Sequence, residues 1–140
     1  MHKLPGKIDG ELITREFFPQ YLGREGDINC GHCYRWAYIA YKLYDGVELI
    51  SNEGHAFPYQ RGRYFDSESP RGERKLEHLN CNAFSNRDDE DCFPQDAEEF
   101  VDYWARNGRY GFKDVGELDK KIHNFWRRHN RKNKGKKQAA

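Results

Sequence analysis

The stretch GHAFPYQRGRYFDSE, residues 54–68, limits what this chain can fold into more than any other. Two arms rich in aromatic and β-favouring residues flank Arg61-Gly62, which reads as a two-residue hairpin turn, a weaker signal than Asn-Gly. With the turn centred there, Gln60 faces Arg63, Tyr59 faces Tyr64, Pro58 faces Phe65 and Phe57 faces Asp66. Side chains alternate along a strand, so His55 and Phe57 share a face. Asp66 joins that face, diagonal to His55, with backbones about 7–8 Å apart and side chains within reach. A three-residue turn would flip Asp66, and Glu68 with it, to the opposite face. Pro58 inside the first arm argues for an edge strand or a bulge there.

The elements around the hairpin follow from periodicity and stop signals. Residues 11–22, ELITREFFPQYL, suggest a short helix or an extended apolar lead-in, broken near Pro19. Cys33 to Tyr44 is expected to be helical, with Ala37, Ala40, Tyr41 and Tyr44 at spacings of three and four, ended by Asp45-Gly46. VELIS is a short strand, and residues 67–95 read as polar and irregular. Asp96 to Arg106 is a second helix, with Ala97, Phe100, Val101 and Trp104 on one face, stopped at Asn107-Gly108. A last helix starts near Asp114, with Glu117 forming a capping-box-like pair. Its stripe is Val115, Leu118, Ile122, Phe125 and Trp126, after which it dissolves into RRHNRKNKGKK. The fold class is α+β: a helix packed on a small antiparallel sheet, with further C-terminal helices around it.

At 140 residues the chain fits one domain, here residues 1–126, followed by a basic and flexible tail, residues 127–140. Aromatics make up 15% of the chain against a hydrophobic total of 36%, so Tyr, Phe and Trp must supply much of the core volume. A net charge of +1 conceals an asymmetry: from Lys120 onward there are nine Lys or Arg and no acids, leaving 15 basic against 23 acidic residues before it. Such a basic end suits contact with nucleic acid or another acidic surface, through Arg127, Arg128, Arg131 and Lys132. No window approaches the ~18 apolar residues of a membrane span, so no membrane partner is expected. The first residues lack the apolar core of a secretory signal, which points to reduced thiols and a cytoplasmic setting.

The chemistry-bearing segment is CGHCYRWA, residues 30–37. A thiol attacks as the thiolate, and a helix N-terminus and a nearby imidazolium both favour that form. Cys33 stands where the first turn of a helix begins, and the unpaired N–H groups of such a turn also suit a developing oxyanion. With His55 and Asp66 on one sheet face, a helix packed on that face would bring Cys33 to the other ring nitrogen. That is a nucleophile, a base and an orienting carboxylate.

These residues carry a resemblance. CGHCYRWA is similar to the active-site helix motif of papain-like peptidases, whose second cysteine, here Cys33, is the nucleophile. The order of cysteine, then GHAF, then GRYFD resembles the short papain-like and transglutaminase-like hydrolases, over roughly residues 27–68. The resemblance implies a Cys33, His55, Asp66 triad that hydrolyses or transfers an acyl group at an amide or ester, with a peptide or amide-containing substrate and no cofactor. Papain's oxyanion glutamine would fall at Asp27, a poor donor, so the Asn29 amide and the Cys33 N–H stand as oxyanion candidates. In papain the histidine and asparagine lie far downstream, a spacing this chain is too short to hold.

The same cysteines admit other uses. Cys30 and Cys33 with His78 and Cys81 would make a Cys₃His zinc site, and the chain would then be a zinc-stabilised binding module whose basic tail contacts nucleic acid. CGHC also matches a redox dithiol, but no apolar strand precedes it. A Cys30–Cys81 or Cys81–Cys92 disulfide is the option in an oxidising compartment. His2, His32, His123 and His129 have no evident partners in the sequence.

Overall fold

The structure is a computed structural model, and it describes residues 3–21, 32–52, 54–75 and 92–139, with no side-chain account of Tyr21 or of 132–139. Among these, helices are packed with a five-stranded antiparallel sheet, an α+β arrangement. A π-helical segment, Leu12–Phe17, runs into α1 (Phe18–Tyr21). Then come α2 (Cys33–Leu43), β1 (Glu48–Ser51), β2 (Ala56–Gln60), β3 (Arg63–Asp66), β4 (Ser69–Glu73), β5 (Phe93–Gln95), α3 (Ala97–Asn107) and α4 (Val115–Ala139). The strand order is β4-β3-β2-β1-β5.

The hairpin turn follows the sequence reading. Tyr59 pairs with Tyr64 and Gln60 with Arg63. Arg61 and Gly62 both take positive φ, 52° and 80°, as a type I′ turn requires. Pro58 does not put β2 at an edge: β2 is the central strand. The Asn52 N–H donates to the His55 carbonyl (2.9 Å), and by alternation the nitrogen of Pro58 then points towards β3. There the paired register ends at Tyr59–Tyr64, so the missing donor falls where the ladder has already stopped.

α2 lies buried on nearly all sides, with nine of its eleven residues inside, rather than presenting one apolar face. Leu49, Ala56 and Phe65 of the sheet join it in the main core, together with Ile13, Phe17 and Phe18 from the N-terminal segment and Leu118, Ile122 and Phe125 of α4. Each of the larger of these side chains contributes about 1.5–3 kcal/mol by burial. Ile50 and Phe57 form a separate cluster on the other sheet face, with Tyr59, Tyr64 and Cys92 against it.

Other expectations change. Pro19 does not break the first helix. It sits in the opening turn of α1, where a missing N–H costs little. Residues 67–95 are not wholly irregular, because β4, which is polar, and β5, only three residues long, lie there as short edge strands that carry no alternating signal. A Cβ on Gly10 would lie 2.6 Å from Pro70 Cα, so only glycine lets the N-terminal segment approach β4 this closely. Asp96 caps α3, its Oδ1 accepting from the Glu99 N–H (2.9 Å). Asp114 does not form a capping box: its carboxylate is taken by Arg35 (2.8 Å), and Glu117 pairs with Lys121 (3.3 Å). α4 crosses the expected boundary at Trp126 and Arg127 without a break and continues to Ala139. No helix among the described residues is long and apolar enough to cross a membrane.

Candidate active site

Asn52 builds one side of the site. It is wholly buried, and its Oδ1 accepts the N–H groups of Gly54 (3.0 Å) and His55 (2.8 Å). This Asx-type turn fixes the backbone that presents His55 immediately before β2. On the neighbouring strand, Asp66 closes the β3–β4 turn. Its Oδ1 accepts from the N–H groups of Glu68 (2.9 Å) and Ser69 (2.7 Å). The second oxygen, Oδ2, is left facing His55 Nε2 at 3.8 Å. Both residues are buried, at 3% and 2% exposure. The histidine and aspartate that the sequence register brings together are therefore neighbours. Because the carboxylate meets Nε2, Nδ1 is the ring nitrogen turned away from it.

The third residue stands on the other side of the sheet. Cys33 opens α2 and, at 5% exposure, belongs to the main core. α2 does not pack on the face shared by Phe57 and Tyr64. It packs on the opposite face, against Leu49, Ala56 and Phe65, while the His55 ring lies 5.5 Å from that of Phe57. Cys33 and His55 nevertheless share an end of the sheet. Gln60, at the far end of β2, donates from Nε2 to the Asp45 carbonyl just after α2 (2.8 Å). Eleven helical residues rise about 16 Å, and the five steps from Gln60 back to His55 cover about the same. The start of α2 is thus carried over the start of β2. Among the described residues no hydrogen bond joins Cys33 to His55 or Asp66.

The helix start is firmly held. The first intrahelical bond runs from the Trp36 N–H to the His32 carbonyl (3.1 Å), so the N–H groups of Cys33, Tyr34 and Arg35 lie ahead of the ladder. His32, which the sequence left without a partner, stacks on Tyr110 (4.9 Å) and lies 3.1 Å from Arg35 Nη1. Arg35 donates to Asp114, to the Gly111 carbonyl (3.1 Å) and to the Tyr34 hydroxyl (2.8 Å), tying the 110–114 segment to α2. His123 and His129 also have ring partners, Trp126 and Phe125.

Sequence reasoning missed Asn52, although Asn two positions before Gly is a recognisable Asx-turn signal. It read Cys92 only as a disulfide partner of Cys81, whereas that thiol, not in a disulfide, lies 4.0 Å from Asn52 Nδ2, immediately before β5. Asn29, Cys30, His78 and Cys81 fall outside the described residues, as does Asp27, and with them the oxyanion amide, three of the four zinc ligands and the Cys30–Cys81 disulfide, while the Cys81–Cys92 alternative does not form, because Cys92 is not in a disulfide. Among the described residues no group of three or more His, Cys, Asp or Glu is placed to hold a metal ion. No protein-family model, curated protein or solved structure matches this chain.

Proposed function

We propose that this chain is a thiol-dependent hydrolase or acyl transferase of papain-like or transglutaminase-like type, working under reducing, cytoplasmic conditions. Cys33 is the nucleophile, His55 the proton carrier and Asp66 the orienting group. The substrate is an amide or ester carbonyl in a peptide, a glutamine-like amide or an isopeptide. The observation that supports this reading is the buried His55–Asp66 pair at 3.8 Å, at the end of the sheet over which α2 begins.

Asp66 at Nε2 favours the tautomer with its proton there, which leaves Nδ1 as the base. For this chemistry Nδ1 and the Cys33 sulfur, which no hydrogen bond joins among the described residues, must meet at the end of the sheet over which α2 begins, where Nδ1 takes the thiol proton. The sulfur then bonds to the carbonyl carbon, and the C=O electron pair moves to oxygen beside the N–H groups at the start of α2. Collapse expels the amine or alcohol, which leaves with the proton from His55. Water or an acceptor amine resolves the thioester, returning the thiol.

The test is the rate of iodoacetamide labelling at pH 7, mapped by peptide mass spectrometry. Cys33 is expected to label fastest of the four thiols, and His55→Ala to slow it at least tenfold with the other thiols unchanged. Equal labelling of all four sulfurs would overturn the proposal.

A further inference from the structure

α4 carries a second feature that the thiol chemistry does not use. Its apolar stripe docks through Leu118, Ile122 and Phe125, with the Phe125 ring 5.3 Å from Phe17. Past Trp126 the sequence holds no apolar residue before Ala139, and from Lys120 onward no acid. The helix nevertheless continues to Ala139. On its outer side Asn124, Arg127, Arg128 and Arg131 line one shallow, open concavity. Their spacing of i, i+3, i+4 and i+7 places them on one face over about 10 Å of helix. All four are exposed, and Arg127 and Arg131 make no ion pair among the described residues.

We propose that this face of α4 binds the phosphate backbone of double-stranded nucleic acid. Guanidinium groups match phosphate oxygens bidentately. Arg127 and Arg131 lie about 6 Å apart along the axis, and Lys132, Lys134, Lys136 and Lys137 follow in the sequence. Positive charge thus runs along the length of the helix, which suits a polyanion rather than one phosphate. Arg131 is two turns from the helix end, beyond the reach of its negative pole. Single-strand binding of the kind that stacks bases on aromatics is not served here. Phe125 is buried and stacked on His129, and Trp126 packs against the core and His123. A rod about 10–12 Å across fits the major groove of a duplex.

The experiment is fluorescence anisotropy of the full chain with a labelled 20-base-pair duplex, the matching single strand and poly-glutamate, from 50 to 200 mM salt. The duplex is expected to bind, with log affinity falling linearly with log salt. Arg127→Gln with Arg131→Gln is expected to make that slope shallower by about 1.8, at 0.9 per lost contact. Both positions are exposed, and circular dichroism should show the variant folded. Iodoacetamide-treated protein is expected to bind duplex equally well, separating this surface from the thiol chemistry. No duplex binding at 50 mM salt, an unchanged slope in the double variant, or poly-glutamate binding as tightly as the duplex would each overturn the proposal.

Discussion

His55 Nε2 faces Asp66 Oδ2 at 3.8 Å, and neither side chain reaches solvent. The two oxygens of Asp66 have separate tasks. Oδ1 holds the β3–β4 turn and Oδ2 addresses the imidazole. Asp66→Asn retains an acceptor for the Glu68 and Ser69 N–H groups and should fold. It removes the charge from Nε2, so Cys33 labelling at pH 7 should slow about tenfold. Asp66→Ala should in addition cost about 1–3 kcal/mol in urea unfolding, because two N–H donors in a turn lose their acceptor. Equal labelling rates in Asp66→Asn and the parent would remove Asp66 from the triad.

Asn52 is expected to act on His55 through the backbone. Asn52→Ala leaves the Gly54 and His55 N–H groups without their acceptor, at a cost of about 2 kcal/mol in urea unfolding. Asn52→Asp keeps the acceptor oxygen and should recover most of that loss. If Asp rescues no better than Ala, the Oδ1 contacts are not what holds the turn.

Tyr38 ties α2 to α4, its hydroxyl donating to Asp119 Oδ1 (2.6 Å). Tyr38→Phe should cost about 1 kcal/mol, since Asp119 is half exposed and keeps Lys42 at 3.8 Å. Burial, and then the Asp119 carboxylate, push the Tyr38 phenol well above its ordinary value; burial does the same to Tyr44. The folded state therefore holds these protons more tightly than the unfolded chain. That stabilisation is complete below the unfolded value, near ~10, and is lost as pH rises from there through the folded values. Denaturant midpoints measured from pH 8 to 11 should fall at the alkaline end, and less steeply in Tyr38→Phe.

Arg61 occupies the first central position of a type I′ turn with φ 52°, a region that asparagine tolerates better than arginine. Its side chain is exposed. Arg61→Asn should raise stability by about 0.5–1 kcal/mol, read as a higher melting temperature, with no change in thiol labelling. A lower melting temperature would mean that the arginine side chain contributes a contact of its own.

The sequence by itself determined the turn and the two closing pairs of the β2–β3 hairpin, the extents of α2 and α3 to within a residue, and the adjacency of His55 and Asp66. Each follows from local rules: side-chain alternation, a two-residue turn, and apolar spacing bounded by stop residues. Tertiary structure decided the rest. β4 is polar and β5 only three residues long, and both exist because β3 and β1 offer edges to pair with. Asp114 turns to Arg35 instead of capping α4, because a charge-assisted bond to a buried guanidinium outweighs a local cap. The helix carrying Cys33 packs on the sheet face opposite Phe57. Alternation says which residues share a face, but only the competition among all the apolar surfaces decides which face the helix covers.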